Sequence, residues 1–248
     1  ATPVALFLST APKIAAFALF YRLLIDAFSS ISETWTIMVY ALGILSLIIG
    51  NLIAISQTNF KRLLGYSAIG HIGFIFLGIS IGTQEGLESS LFYVLIYVLM
   101  TMVAFMVIEI LSSEHHEVKS LKDLKDLNSS HPWFSLIMLI AMCSMIGVPP
   151  FAGFYAKWSV LSSLIEANMV ITAIIAILMT VIAAFYYLRV IWFIYFEKTD
   201  KENKKLESTI LQKTVVSFTG IIILLIGLYP KPVLDFCRQI ISSNLLLD

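Results

Sequence analysis

Lys13 and Lys157 are the residues with the strongest claim to chemistry. Each lies deep inside an apolar run, too far from either end for its side chain to snorkel to an interface. A charge at the middle of a bilayer costs at least ~2.5 to 3.5 kcal/mol on insertion scales, so such a lysine must face protein or water. Lys13 is ten residues into its run, about 15 Å along a helix. Lys157 follows Pro149-Pro150 by about two turns. Each also has a helix disruption beside it: Pro12 directly before Lys13, and the stretch Gly147-Val148-Pro149-Pro150-Phe151-Ala152-Gly153 before Lys157. Proline removes a backbone donor and frees carbonyls. Irregular backbone at membrane depth is tolerated where it is buried in protein or lines a wet cavity, as in the broken helices of transporters. An amine whose charge is this costly can take up and release a proton as its surroundings change, so both lysines are expected to act as proton relays. The structural alternative is a permanently charged lysine paired with a carboxylate.

His71 is the third candidate, in the middle of another apolar run. Imidazole exchanges protons near neutrality, although a lone histidine in a membrane equally serves as a bond between helices. Ser67, at i−4, shares its face, whereas Tyr66, at i−5, does so poorly. Gly70, Gly73 and Gly78 read as close helix packing. Tyr93, Tyr97, Tyr186 and Tyr187 read as packing before they read as a water path. Glu109 can snorkel from a helix end, and His115, His116 and His131 read as solvated linker residues. The chain has no phosphate-cradling glycine loop, zinc spacing or nucleophile motif. Cys143 and Cys237 sit in separate apolar stretches and supply no haem or iron–sulfur ligand set.

These residues need a membrane protein around them. Of 248 residues, 59% are hydrophobic and 13% are charged, about half the ~25% charge of a soluble chain. The mean hydropathy is +0.92. That excludes an ordinary water-soluble enzyme, a disordered tail and a secreted disulfide scaffold. The formal net charge is zero, so no electrostatic pull toward nucleic acid follows. Spans are expected at residues 3–25, 34–57, 63–81, 87–111, 133–165, 169–195 and 211–229, each long enough for a bilayer crossing. The fifth is too long for one straight crossing and carries the double proline, so it reads as one discontinuous helix, with a tight hairpin as the rival. The predicted fold class is all-α: a polytopic membrane protein of about seven transmembrane helices, one of them discontinuous. Residues 1–25 lack a basic region ahead of the apolar run and a clear cleavage site, so they read as a span in a chain entered mid-way rather than as a signal peptide.

Lys61 and Arg62, Lys119, Lys122 and Lys125, and Lys198, Lys201, Lys204 and Lys205 fall in alternate connections. The positive-inside rule places these in the cytoplasm, with Lys231 and Arg238 as minor violations. In residues 118–127 the leucines recur at a spacing of three, which is expected to form an amphipathic helix on the membrane surface or on a neighbouring subunit. A membrane domain over 1–195 (linker 112–132) is followed by a cytoplasmic linker, last span and tail over 196–248.

Three stretches resemble the antiporter-like subunits of respiratory complex I: residues 2–17 around Pro12 and Lys13, residues 51–74 from Asn51 through Lys61, Tyr66 and His71, and residues 147–158 around Pro149, Pro150 and Lys157. The wording of the second is most similar to the subunit N branch of bacterial NADH:quinone oxidoreductase. The resemblance covers essentially the whole chain. It implies the carboxy-terminal half of such a subunit, from the eighth of fourteen core helices onward, carrying the second of two inverted repeats. It further implies that Lys13 links two half-channels, that Lys157 is the lysine of the second broken helix, and that Lys61, Tyr66 and His71 shape the second half-channel. No cofactor is expected in this chain; NADH, flavin, iron–sulfur clusters and quinone would belong to the rest of the complex. The implied partners are the other membrane subunits, the missing amino-terminal half and the lipid of a bacterial inner membrane. The first repeat's lysine and its partner glutamate are absent, so a lone half would not reproduce the full relay. The competing readings are a subunit of a multi-subunit sodium/proton antiporter and a non-transporting structural fragment.

Overall fold

The computed structural model describes residues 2–112, 118–198 and 209–245, and every element of regular secondary structure among them is helical. The elements are α1 (Thr2–Ser9), α2 (Ala11–Arg22), α3 (Ser32–Ser56), α4 (Phe60–Ser80), α5 (Gln84–Leu111), α6 (Leu127–Ser130), α7 (Pro132–Ile146), α8 (Ala152–Glu166), α9 (Val170–Tyr195), α10 (Ile210–Leu228) and α11 (Lys231–Leu245). Among the described residues, six stretches are long and apolar enough to cross a membrane: Leu6–Ile25, Ser29–Ser56, Phe60–Ser80, Gln84–Leu111, Val170–Tyr195 and Ile210–Leu228. The seventh crossing is the pair α7 and α8.

The fifth run is one broken crossing, not a hairpin. Helix α7 stops at Gly147, which takes the left-handed conformation (φ 88°) that glycine adopts without a Cβ penalty. Helix α8 starts beside the last turn of α7, where the Gly153 N–H donates to Ser144 Oγ at 3.0 Å. The α7 end of the crossing lies with the connection between α3 and α4, because the linker just before it pairs with that connection: Phe60 N donates to Lys119 O and Leu121 N to Thr58 O. The α8 end lies at the start of α5, where Ser163 Oγ donates to Glu85 O. The chain therefore continues through the break to the opposite side.

The first run is broken as well, which differs from the expectation of a single discontinuous helix. Thr10 leaves helical geometry (φ −120°, ψ −90°), and Pro12 stands in the first turn of α2. Proline is tolerated there because the first N–H groups of a helix have no internal partner. The break thus falls before the proline. The Thr10 hydroxyl donates to Leu6 O at 2.8 Å and covers one of the freed carbonyls. A π-helical turn, Leu23–Ala27, ends the crossing.

Helix α5 is buried along almost its whole length and on all sides. An all-round apolar helix belongs in that position. Helices α3 and α4 cross closely: a Cβ on Gly73 would lie 2.7 Å from the backbone nitrogen of Leu47. This matches the packing role expected of that glycine.

Two connections depart from expectation. Residues 118–127 form a bridge between Ser120 and Asn59, a 3₁₀ turn over Leu121–Leu124 and the start of α6, rather than a surface α-helix. A 3₁₀ turn has three residues per turn, so the leucine spacing of three puts Leu121 and Leu124 on one buried face, and Leu127, beyond the left-handed Asp126, is buried as well. That face docks on the chain's own α9, where Asp126 N donates to Phe193 O, and Lys125 pairs with Glu197, just beyond α9, at 2.8 Å. Beyond the last span, the expected tail contains α11, an amphipathic helix that buries Cys237 and Ile241. Its Arg238 lies 3.4 Å from Glu88 near the start of α5. His115, His116, Lys201, Lys204 and Lys205 lie outside the described residues.

Candidate functional site

Five crossings converge on a polar cluster in the apolar core. Helix α2 brings Lys13 and α4 brings His71. Tyr93 and Tyr97, at i and i+4 on one face of α5, stand opposite them. Helix α9 contributes Tyr186 and Tyr187, and α8 contributes Lys157. His71 and Lys157 are buried, as are all four tyrosines. The Lys13 ammonium donates to the Tyr97 hydroxyl at 2.8 Å and sits 4.3 Å from its ring centroid. The Tyr97 ring stacks on the His71 imidazole with centroids 4.5 Å apart. His71 Nδ1 is 2.8 Å from the Tyr93 hydroxyl, and Nε2 is 3.0 Å from the Tyr187 hydroxyl. A neutral imidazole donates through one nitrogen and accepts through the other. One tyrosine therefore donates to the ring and the other accepts from it, and a tautomer change reverses both roles.

Lys157 takes its partner from the broken helix. Its ammonium donates to the carbonyl oxygen of Ile146 at 2.9 Å, one of the acceptors left over at the end of α7. The Phe74 ring lies 5.6 Å away, within cation–π range. The same break opens space for the lysine stem: a Cβ on Gly147 would stand 2.9 Å from the Cδ of Lys157. His71 and Lys157 line a common cavity of about 10 Å³ with Asn51, Ser67, Thr180 and Tyr186, at the lower limit for one water molecule. Among the described residues, no carboxylate lines this cavity or bonds to either lysine. The two ammonium groups are held instead by a hydroxyl, a carbonyl and aromatic faces.

The other expected site residues fall elsewhere. Lys61 sits in the first turn of α4, ten residues and about 15 Å from His71. Tyr66 is half-buried and does not line the common cavity. Pro12, Pro149 and Pro150 shape the two breaks rather than the cluster, and the Pro149-Pro150 bond is cis. The tyrosines expected to be packing, Tyr93 and Tyr187, bond to both ring nitrogens of His71. Asn51 was visible only as part of a resembling stretch, and its polar side chain in the middle of an apolar run was the signal. Near the linker, the Glu197 carboxyl is held below its ordinary range by the hydrogen bond from Lys125 and then by the charge of that lysine.

A family described as NADH:quinone oxidoreductase/Mrp antiporter, transmembrane, matches residues 1–183. NADH-quinone oxidoreductase subunit N of Thioalkalivibrio sulfidiphilus is 41% identical over 97% of this chain and 50% of its own length. The subunit N of Ruthia magnifica is 44% identical over 98% of this chain and 49% of its own. The chain spans about half the length of the curated relatives it matches. Among solved structures, a chain of respiratory complex I from Thermus thermophilus with bound aureothin superposes with a TM-score of 0.79 at 31% identity, covering 94% of this chain and 51% of that one. A chain of the Mrp complex from Dietzia superposes with a TM-score of 0.83 at 18% identity, which shows a shared fold. This multi-pass membrane chain belongs to the NADH:quinone oxidoreductase/Mrp antiporter transmembrane family.

Proposed function

We propose that this chain is the carboxy-terminal half of a proton-translocating, subunit N-type component of respiratory complex I. It would sit in a bacterial inner membrane, beside the amino-terminal half and the other membrane subunits. Protons pass along the central axis between Lys13 and Lys157 by way of the His71–tyrosine cluster. A change of charge at one lysine alters the field at the next, which couples the two across the midplane. Redox chemistry with NADH, flavin, iron–sulfur clusters and quinone stays in other subunits, and its energy reaches this chain through its neighbours. Lys61 and Tyr66 shape access on the side of the α3–α4 connection, and Pro12, Pro149 and Pro150 hold the two breaks open.

The observation that carries this reading is the arrangement itself: two lysines buried in an apolar core, with a histidine bonded to two tyrosines between them. The test is NADH-driven proton uptake in inverted membrane vesicles, with electron transfer followed in parallel. Lys13→Ala and Lys157→Ala should each cut proton uptake while the complex still assembles. Native uptake in both variants would overturn the relay. The Mrp-type fold supports one rival, a sodium/proton antiporter subunit. Copurification with antiporter subunits and no flavin would favour it.

A further inference from the structure

His71 has no nitrogen to spare for Lys157, because Tyr93 and Tyr187 occupy both. Lys157 has used one of its three N–H groups on Ile146. The two groups line one cavity, so any bonded route between them needs a third group. Asn51 stands there, 3% exposed. Its Nδ2 donates to the Leu47 carbonyl at 2.7 Å, and its Oδ1 accepts from the Tyr186 hydroxyl at 2.9 Å. These two bonds fix which end of the amide is which. One N–H and one lone pair remain. The amide fits because residue 70 has no side chain: a Cβ on Gly70 would lie 2.8 Å from Asn51 Nδ2.

We infer that Asn51 is a positioning residue that holds one water molecule between Lys157 and Tyr186 and fixes the direction of the hydrogen bonds there. The cavity has the volume for a single water and several polar side chains to hold it. The Tyr186 proton is committed to Asn51, so toward the cavity Tyr186 only accepts. The donors must then come from the Lys157 side. An amide neither gains nor loses charge near neutral pH, so Asn51 orients the path without carrying the proton.

The inference rests on the relay reading, so Lys157→Ala serves as the control arm. Proton uptake per electron pair would be measured in inverted vesicles of the complete complex, from neutral to alkaline pH. Asn51→Leu, Gly70→Ala and Tyr186→Phe should each lower the ratio about three- to tenfold, the worth of one buried hydrogen bond. Asn51→Asp has the same shape but adds a negative charge beside Lys157. That charge favours the charged lysine, so uptake should fall at neutral pH and recover toward alkaline pH. Packing alone would leave Asn51→Leu, which keeps the shape but not the donor and acceptor, at the native ratio. Should Asn51→Leu fail to assemble, the Asn51→Asp profile decides. If Lys157→Ala loses uptake while Asn51→Asp keeps the native ratio and profile, the positioning role is overturned and the relay stands. If Lys157→Ala pumps normally, the relay falls and this inference falls with it.

Discussion

The two lysine sites solve one problem by different means. Lys13 is half-buried beside an apolar cleft of about 210 Å³ lined by Phe17, Phe20, Ile75 and Phe76, and its polar partner is the Tyr97 side chain. Lys157 is 6% exposed, and its partner is a backbone carbonyl at a helix break. A hydroxyl can accept from a lysine, donate to another group and be deleted by mutation. A carbonyl can only accept, and no side-chain substitution removes it. The Lys13 site is thus built to pass a bond onward, while the Lys157 site is built to keep an acceptor in place whatever the lysine's charge.

The largest effect expected from this contrast is in the arginine variants. Guanidinium stays protonated in proteins, so Lys13→Arg and Lys157→Arg should both stop proton uptake by at least ~10-fold. Both lysines adjoin an apolar cleft, about 210 Å³ at Lys13 and about 180 Å³ at Lys157, but Lys157 is buried with one carbonyl acceptor to offer the five donors of a guanidinium, whereas Lys13 is half-buried. Lys157→Arg should therefore also lower the yield of assembled complex, and Lys13→Arg should not. Equal yields on a native gel would undo the contrast. Next is Tyr97→Phe, which takes away the hydroxyl that accepts from Lys13; uptake should fall several-fold, about one charge-assisted hydrogen bond. Phe74→Leu removes the ring near Lys157 but leaves the carbonyl, so uptake in the same vesicles should fall less.

Gly73→Ala forces a Cβ against the backbone of α3 and should cost about 1 to 3 kcal/mol, read as a lower melting temperature of the purified complex. The smallest effect concerns the linker. The Glu197 carboxyl is depressed by Lys125. Its contribution to docking is fully present above its unfolded value and is lost as pH falls through the lower folded value. Exchange of amide hydrogens in residues 118–127 should rise only under acid conditions. Lys125→Ala should raise it slightly at neutral pH, as an exposed pair predicts.

The seven apolar runs and the broken fifth crossing were legible because hydropathy and a double proline act locally. The break in the first crossing was harder to place. Proline is comfortable in the first turn of a helix, so Pro12 marks where a helix restarts rather than where one ends. Helix α11 went unread because its charged face lowers its mean hydropathy, although Val233, Leu234, Cys237, Ile240 and Ile241 follow helical spacing. The tyrosines and Asn51 were invisible as a cluster. Their partners are distant in sequence, with Asn51 and Tyr186 lying 135 residues apart, and no periodicity reports such a pair.

The burial of α5 on every side bears on how the chain is made. Helix α5 is synthesised before α7, α8, α10 and α11, which later cover it. Tyr93 and Tyr97 already have His71 of α4 and Lys13 of α2 beside them, but until the later helices arrive the sides of α5 that they cover have lipid or the insertion machinery in their place. Lipid offers no hydrogen bonds to such polar residues as Thr101. The newborn chain must therefore pass through a stage in which its most central helix is its least protected one, and that stage is where membrane chaperones and quality-control proteases have most to grip.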